Sequence, residues 1–145
     1  MRGLSTAAVN SRLSCSRMET QPKSMSWAQQ RRIQQAVCLM ETNFAARLSR
    51  EEMARAAGLC VSHFSKLFTQ CIGLSPHQYL LRCRLQRAKK LLLTLEEGLS
   101  IAEVAGETGF ADQAHFSRHF RRAYGASPLA FRRNVRPLEP TNFLI

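Results

Sequence analysis

Apolar residues recur at helical spacing along most of the chain, and glycines and prolines separate the runs. This pattern predicts a first helix from about Ser26 to Phe44. It predicts a longest helix that starts at Ser75-Pro76, reaches about Glu97 and stops before Gly98. The predicted apolar faces are Ile33, Val37, Met40 and Phe44 in the first helix, and Tyr79, Leu81, Leu85, Ala88, Leu92 and Leu95 in the longest. At 1.5 Å per residue, the longest helix would extend about 33 Å.

The most informative pattern is a segment that the chain contains twice. Residues 63–76 read HFSKLFTQCIGLSP and residues 115–128 read HFSRHFRRAYGASP, so that eight matching positions keep the same order and spacing. In the second copy, Phe116, Phe120 and Ala123 fall on one stripe at helical spacing, and the arginines fall on the opposite side. Each copy therefore predicts a short helix with an aromatic back and a polar, cationic front, ended by a glycine.

A capped helix is predicted before each copy. A serine followed three residues later by a glutamate is the signature of a capping box, in which each side chain satisfies a free backbone N–H at the helix start. The serine–glutamate pairs are Ser49 with Glu52 and Ser100 with Glu103, and the glycines that end these helices are Gly58 and Gly109. The aromatic-backed helices then start at about Ser62 and at Gln113. Helix, glycine-containing turn and helix, found twice, predict two helix-turn-helix units.

The charge of the chain indicates the class of its partner. The chain has 145 residues, a formal net charge of +11 and a pI of about 10.5. Such a charge predicts a polyanionic partner: DNA, RNA or an acidic membrane face. No apolar run approaches the roughly 18–20 residues that span a bilayer, and no signal-peptide pattern occurs, so we expect no membrane partner.

Signals for a metal site or an active site are weak. Five cysteines without a CxxC spacing favour buried, reduced thiols in a reducing cytosol. His115 and His119 are four residues apart, but no third metal ligand is close in sequence, so we expect His115 to face the groove or support the turn. One interpretation of Cys60, His63 and Cys71 is a redox or metal sensor. The simpler interpretation is that they are small apolar residues in a helical core. No GxSxG motif, P-loop or suitable carboxylate pair occurs, which predicts neither an enzyme nor a cofactor.

Several motifs of the chain occur together in one known family. They are Arg84-Leu85 with Ala88 and Leu92, Ile101-Ala102-Glu103-Val104-Ala105, Gly109-Phe110, Phe116-Ser117-Arg118-His119-Phe120 and Gly125-Ala126-Ser127-Pro128. In these motifs the chain resembles, over about residues 33–133, the DNA-binding domain of the AraC/XylS family of bacterial transcription regulators. The resemblance implies an all-α fold of about seven helices, in which two homeodomain-like helix-turn-helix subdomains are joined by one long helix. Family members bind asymmetric promoter sites, and most of them activate transcription by contacting RNA polymerase. The resemblance therefore also implies a transcription activator that binds promoter DNA and contacts RNA polymerase.

The resemblance also implies which residues read DNA. The second helix of such a unit enters the major groove. The base-reading positions fall on Ser62, Ser65 and Lys66 in the first unit and on Gln113, Ala114, Ser117 and Arg118 in the second, and the cationic front adds Arg121 and Arg122. Arg118 suits guanine O6 and N7, and Gln113 suits adenine. Because Ser62 and Ser65 are short, the first unit either discriminates weakly or reads DNA through shape and phosphates.

The predicted organisation has five parts. They are an extension over residues 1–26, a first subdomain over 27–81, a connecting helix over 76–97, a second subdomain over 99–133 and a loose tail over 134–145. The extension is interpreted as a disordered arm or as sequence upstream of a later start, with a transit peptide as the minor alternative. It is too short for the ligand-binding domain that most family members carry. The chain therefore resembles the small stand-alone members, without an effector domain, or the DNA-binding remnant of a longer regulator.

Two classes of function stay open on the sequence. The first is a sequence-specific regulator that acts on promoter DNA in the cytoplasm, in association with the nucleoid. The second is an interaction module, a fragment that binds polymerase or another regulator and has no promoter of its own. Specific DNA binding that survives competitor DNA would distinguish the first class from the second.

Overall fold

A computed structural model describes residues 25–94 and 98–135, and all regular structure in these ranges is α-helical. The seven helices of the described ranges are α1 (Trp27–Thr42), α2 (Arg50–Ala56), α3 (Val61–Ile72), α4 (Pro76–Leu93), α5 (Ile101–Glu107), α6 (Gln113–Tyr124) and α7 (Pro128–Val135). The predicted all-α fold with seven helices is thus confirmed. The predicted N-terminal extension falls almost entirely outside the described residues, as does most of the predicted tail.

Local hydrogen bonds fix where the helices begin. Both predicted capping boxes are present: the Glu52 N–H donates to Ser49 Oγ over 3.1 Å, and the Ser49 N–H donates to Glu52 Oε2 over 2.8 Å. The Ser100–Glu103 pair repeats the arrangement, with distances of 3.1 and 2.6 Å. Glutamine supplies the same contact at the starts of α1 and α4, opposite Ser26 and Ser75. The capping residues therefore set the helix starts largely independently of tertiary packing.

Two separate clusters of buried side chains lie along the chain, and α4 contributes to both. The first comprises Ile33, Ala36, Val37, Met40, Met53, Ala54, Ala57, Phe64, Leu67, Phe68 and Leu80, and the second comprises Leu85, Ala88, Leu92, Val104, Ala105, Phe110, Phe116 and Phe120. Leu80, absent from the predicted stripe of the long helix, is only 3% exposed, whereas Tyr79 is only partly buried. The structure therefore consists of two helix-turn-helix units with separate cores that share one helix.

The connecting helix is shorter than predicted. It ends at Leu93 and not near Glu97, because Thr94 adopts extended backbone angles and its hydroxyl donates to the Leu91 carbonyl over 3.1 Å. The helix has 18 residues, which corresponds to about 27 Å and not the predicted 33 Å. Residues 95–97, with Leu95 of the predicted apolar stripe, lie outside the described residues. Smaller differences occur at α1, which ends before Phe44, and at α3, which begins one residue before Ser62. Ala123, predicted on the apolar stripe of α6, is exposed, because Tyr124 packs against Phe120 and Phe131 at that end of the helix.

The predicted burial of the cysteines is wrong for two of them. Cys38 and Cys60 are exposed, the former on the outer side of α1 and the latter at the residue that precedes α3. Cys71 and Cys83 are partly buried, and burial raises the pKa of the Cys71 thiol to about 11. All four thiols are free, and Cys15 lies outside the described residues. Helical spacing alone does not show which side of α1 is covered by other helices.

Candidate nucleic-acid interface

Phenylalanine pairs hold the second helix of each unit against its core. Phe64 and Phe68 of α3 are fully buried, with ring centroids 5.4 Å apart, and Phe116 and Phe120 of α6 are fully buried at 5.5 Å. Since residues four apart share one helix face, these rings fix the rotation of each helix about its axis. The opposite face of each helix must therefore point away from the core.

The predicted DNA-reading residues occupy those outer faces. The exposed ones are Ser62, Lys66, Gln113, Ala114, Arg118, Arg121 and Arg122, and the partly exposed ones are Ser65 and Ser117. Each is accessible in the described structure. Lys66 and Arg118 take equivalent positions, two residues after Phe64 and Phe116 respectively. The structure thus presents two comparable polar surfaces, with more positive charge on α6 than on α3.

The two surfaces differ at their helix starts. The Asp112 side chain accepts a hydrogen bond from the His115 N–H over 2.6 Å and so caps α6 immediately before Gln113. Cys60 takes the equivalent position before α3, and its thiol makes no capping bond to the described backbone. An aspartate just before a helix is the sequence signal that identifies Asp112 as a cap. The first residues of α6 are therefore held more firmly than those of α3.

A histidine pair lies beside the turn that precedes α6. The Nε2 atoms of His115 and His119 are 3.0 Å apart, and the His115 ring makes an edge contact with Phe110 at a centroid distance of 5.8 Å. This position agrees with the prediction that His115 supports the turn. Burial lowers the pKa of His119, and the positive charges of His115, Arg118, Arg122 and His77 lower it further. Among the described residues, no group of three or more histidine, cysteine, aspartate or glutamate side chains is arranged to hold a metal ion.

Two cationic side chains of α4 have roles that sequence reasoning missed. The Lys89 ammonium lies 5.1 Å from the centroid of the Tyr124 ring, a cation–π contact that joins α4 to the end of α6. Arg84 is partly buried and donates to backbone carbonyls of the loop between α1 and α2. Burial lowers the pKa of the Arg84 guanidinium. Neither contact leaves a sequence signal, because both join residues distant in the chain.

None of the described helices combines the length and the apolar character that crossing a bilayer demands. Among the described residues, the large apolar side chains that are exposed are Trp27 and Leu129, which are 73% and 45% exposed and belong to α1 and α7. The described surface around α3 and α6 is polar and basic instead. Its composition suits a polyanion.

A family model described as a helix-turn-helix domain matches residues 53–134, more than half of the chain. Among curated relatives, the transcriptional activator RhaS of Klebsiella pneumoniae is 36% identical over 97 residues, which are 67% of this chain and 34% of RhaS. The chain spans about a third of the length of the curated relatives it matches.

Solved structures match over a larger share of their length. A transcriptional regulator from Chromobacterium violaceum with an AraC-type DNA-binding domain superposes with a TM-score of 0.69 at 30% identity, covering 79% of this chain and all of that one. The DNA-binding domain of the global transcriptional factor AdpA, solved with a target DNA, superposes with a TM-score of 0.67 at 31% identity, covering 72% of this chain and 92% of that one. The same seven-helix arrangement thus occurs in a domain solved on DNA.

Proposed function

Because this chain belongs to the AraC-type family of helix-turn-helix domains, we propose that it is a sequence-specific DNA-binding transcription regulator. The observation that carries the proposal is the pair of equivalent helices, α3 and α6, each with a buried phenylalanine back and an exposed polar front. A single such helix is common in helical cores. Two of them, each preceded by a capped helix, form a repeated unit that suits repeated contact with a duplex.

In this proposal, α3 and α6 enter successive major grooves on one side of the DNA. Arg118 binds guanine O6 and N7, Gln113 binds adenine, and Lys66 binds guanine or phosphate. The remaining contacts come from Ser62, Ser65, Ala114 and Ser117, with Arg121 and Arg122 on phosphates. The α6 surface is the main source of sequence discrimination because it has the longer side chains and the firmer cap. The α3 surface contributes more through DNA shape and phosphates.

The lengths support binding across one turn of DNA. The 18 residues of α4 correspond to about 27 Å, the same order as the roughly 34 Å between major grooves on one face. A single chain would then cover two groove segments without a second copy. A footprint confined to one segment of about five base pairs would contradict this geometry.

We further propose that the chain activates transcription, as the name of RhaS states for that relative, and that it does so by contacting RNA polymerase. The proposed first subdomain covers residues 27–81 and the second covers residues 99–133, and α4 (Pro76–Leu93) connects them. Such a regulator would act in the cytoplasm, on the nucleoid. No catalytic step, metal or cofactor is part of this proposal.

The test is a selection of bound duplexes from a random pool with the full chain, followed by gel shifts at two salt concentrations. We expect one selected site that is bound at least about 10³-fold more tightly than unrelated DNA, with binding that survives competitor DNA. Equal, strongly salt-dependent binding to all sequences would overturn the proposal and favour the interaction module. The control is Arg87→Ala, which removes one exposed charge from α4, outside the two recognition surfaces.

A further inference from the structure

The loop between α1 and α2 touches both helix-turn-helix units. It belongs to the first unit by sequence, and Arg84 of the connecting helix binds it through two hydrogen bonds. Nε donates to the Phe44 carbonyl over 2.7 Å, and Nη2 donates to the Ala46 carbonyl over 2.9 Å. The two acceptors lie on either side of Ala45. A planar guanidinium with several donors is the side chain that can bridge two carbonyls in this way.

The same loop meets the turn of the second unit at Ala45. A Cβ atom added to Gly109 would lie 2.7 Å from the carbonyl oxygen of Ala45 and 2.8 Å from its Cα. Gly109 also has a φ of +83°, in the region that favours glycine. Both obstacles are backbone atoms, which cannot rotate away as a side chain can. Glycine is therefore required here for the close approach of the two units as well as for the turn.

These contacts form a second connection between the recognition helices, parallel to α4. On one side, the loop leads directly into α2, which packs against α3. On the other side, Gly109 is followed by Phe110, whose ring lies 5.1 Å from that of Phe116 in α6. If α4 were the only connection, the two units would be free to twist and bend relative to each other at the end of that helix. A second connection removes that freedom.

We infer that the loop Asn43–Arg47, held by Arg84 and seated on Gly109, is a clamp that fixes the spacing and the rotational phase of α3 relative to α6. Arg84 and Gly109 are then positioning residues: they determine which spacing between two half-sites the protein accepts, without touching DNA. This inference rests on the proposed function for its DNA readout. The clamp itself is a property of the protein alone.

The main experiment varies the spacing of the half-sites. The selected duplex is prepared with one base pair removed, unchanged, and with one or two base pairs added, and Kd is measured for each. Each added base pair displaces one half-site by about 3.4 Å and rotates it around the duplex. For the parent chain, we expect a single added base pair to weaken binding at least about tenfold. For Arg84→Ala and Gly109→Ala, we expect one added base pair to change Kd by less than about threefold. At the original spacing, we expect both variants to bind more weakly than the parent chain.

Three variants separate the clamp from general effects. Arg87→Ala removes the same charge from the same helix. Gly58→Ala places alanine at the equivalent turn of the first unit, where φ is +66° and no heavy atom beyond the two neighbouring residues lies within 4 Å of the added Cβ. Both should keep the steep dependence on spacing. Arg84→Lys keeps the charge and one donor group, and should give an intermediate result. A variant that only loses folded protein binds all spacings more weakly by the same factor. The ratio of its Kd values between two spacings therefore stays that of the parent chain.

A readout without DNA keeps the two proposals distinguishable. Residual dipolar couplings of the free protein should fit one common alignment tensor for both units in the parent chain. In Gly109→Ala and Arg84→Ala, we expect two different tensors. A steep spacing dependence and a common tensor in all variants would overturn the clamp. If the parent chain selects no DNA site but the tensors separate as expected, the proposed function fails and the clamp stands.

Discussion

His119 and His115 share a hydrogen bond between their Nε2 atoms at 3.0 Å, so at least one of the two rings must be neutral. Burial and the neighbouring positive charges lower the pKa of His119 below its ordinary value. The unfolded chain therefore binds the proton more readily than the folded protein does. The stabilising contribution is complete above the unfolded pKa of about 6.5 and is lost as pH falls from there through the folded value.

The first prediction follows from that sign. The free energy of unfolding of the parent chain decreases between pH 7.5 and pH 5, and His119→Gln reduces this decrease. Urea denaturation at several pH values measures it. His63→Gln is the matched control, because His63 is equivalent to His115 but has Leu67 four residues later where the second unit has His119. If His119→Gln left the pH slope unchanged, the pair would have no part in it.

The second prediction concerns the chemistry of Arg118. Arg118→Lys keeps the positive charge but loses the proposed bidentate hydrogen bond to guanine, so we expect discrimination at one base pair to fall by about 1–3 kcal/mol. The slope of log Kd against log salt should stay unchanged, because the count of phosphate contacts is the same. Titrations of the selected site and of single-base variants, each at several salt concentrations, give both quantities.

Lys66→Ala is the comparison in the first unit. We expect it to weaken binding to all sequences by a similar factor and to reduce the salt slope by about 1, as removal of a phosphate contact does. If Lys66→Ala relaxed base preference as strongly as Arg118→Lys, the two units would read sequence equally. The assignment of discrimination to α6 would then be wrong.

Local sequence signals explain why much of the fold was predictable. The capping pairs at Ser49 and Ser100 specify helix starts within three residues of chain, and the repeated Phe-x-x-x-Phe spacing identifies the buried face of α3 and α6. The outer faces, with Lys66 and Arg118, follow from the same periodicity.

Features that depend on residues distant in the chain were not predictable. Leu80 is buried because α4 crosses the first core before it reaches the second, and no period along α4 alone encodes that change. Arg84 belongs to one of the family motifs, but its contact with the α1–α2 loop joins residues 40 apart in the chain, and the motif does not show that contact. The exposure of Cys38 similarly depends on which helices cover α1.

The third prediction uses the two capping boxes as matched sites. Ser49→Ala and Ser100→Ala each remove an acceptor for a backbone N–H at a helix start, and each should lower the free energy of unfolding by about 1 kcal/mol. The double variant should lose the sum, because the two sites lie in different units and share no partner. Urea denaturation measures all three variants. Ser49→Thr, which keeps a hydroxyl acceptor, should retain most of the stability.

The fourth prediction concerns the separate cores that share α4. Phe116 and Phe64 are fully buried at equivalent positions of the two units, so truncation of either to alanine should cost about 3–5 kcal/mol. Because Phe116 contacts the second core and Phe64 the first, we expect each truncation to lower the opening free energy of its own unit more than that of the other. Amide hydrogen exchange measures this: Phe116→Ala should reduce protection in α6 more than in α3, and Phe64→Ala should do the reverse. An equal loss of protection in α3 and α6 for both variants would show that the shared helix and the loop contacts make the two cores one cooperative unit.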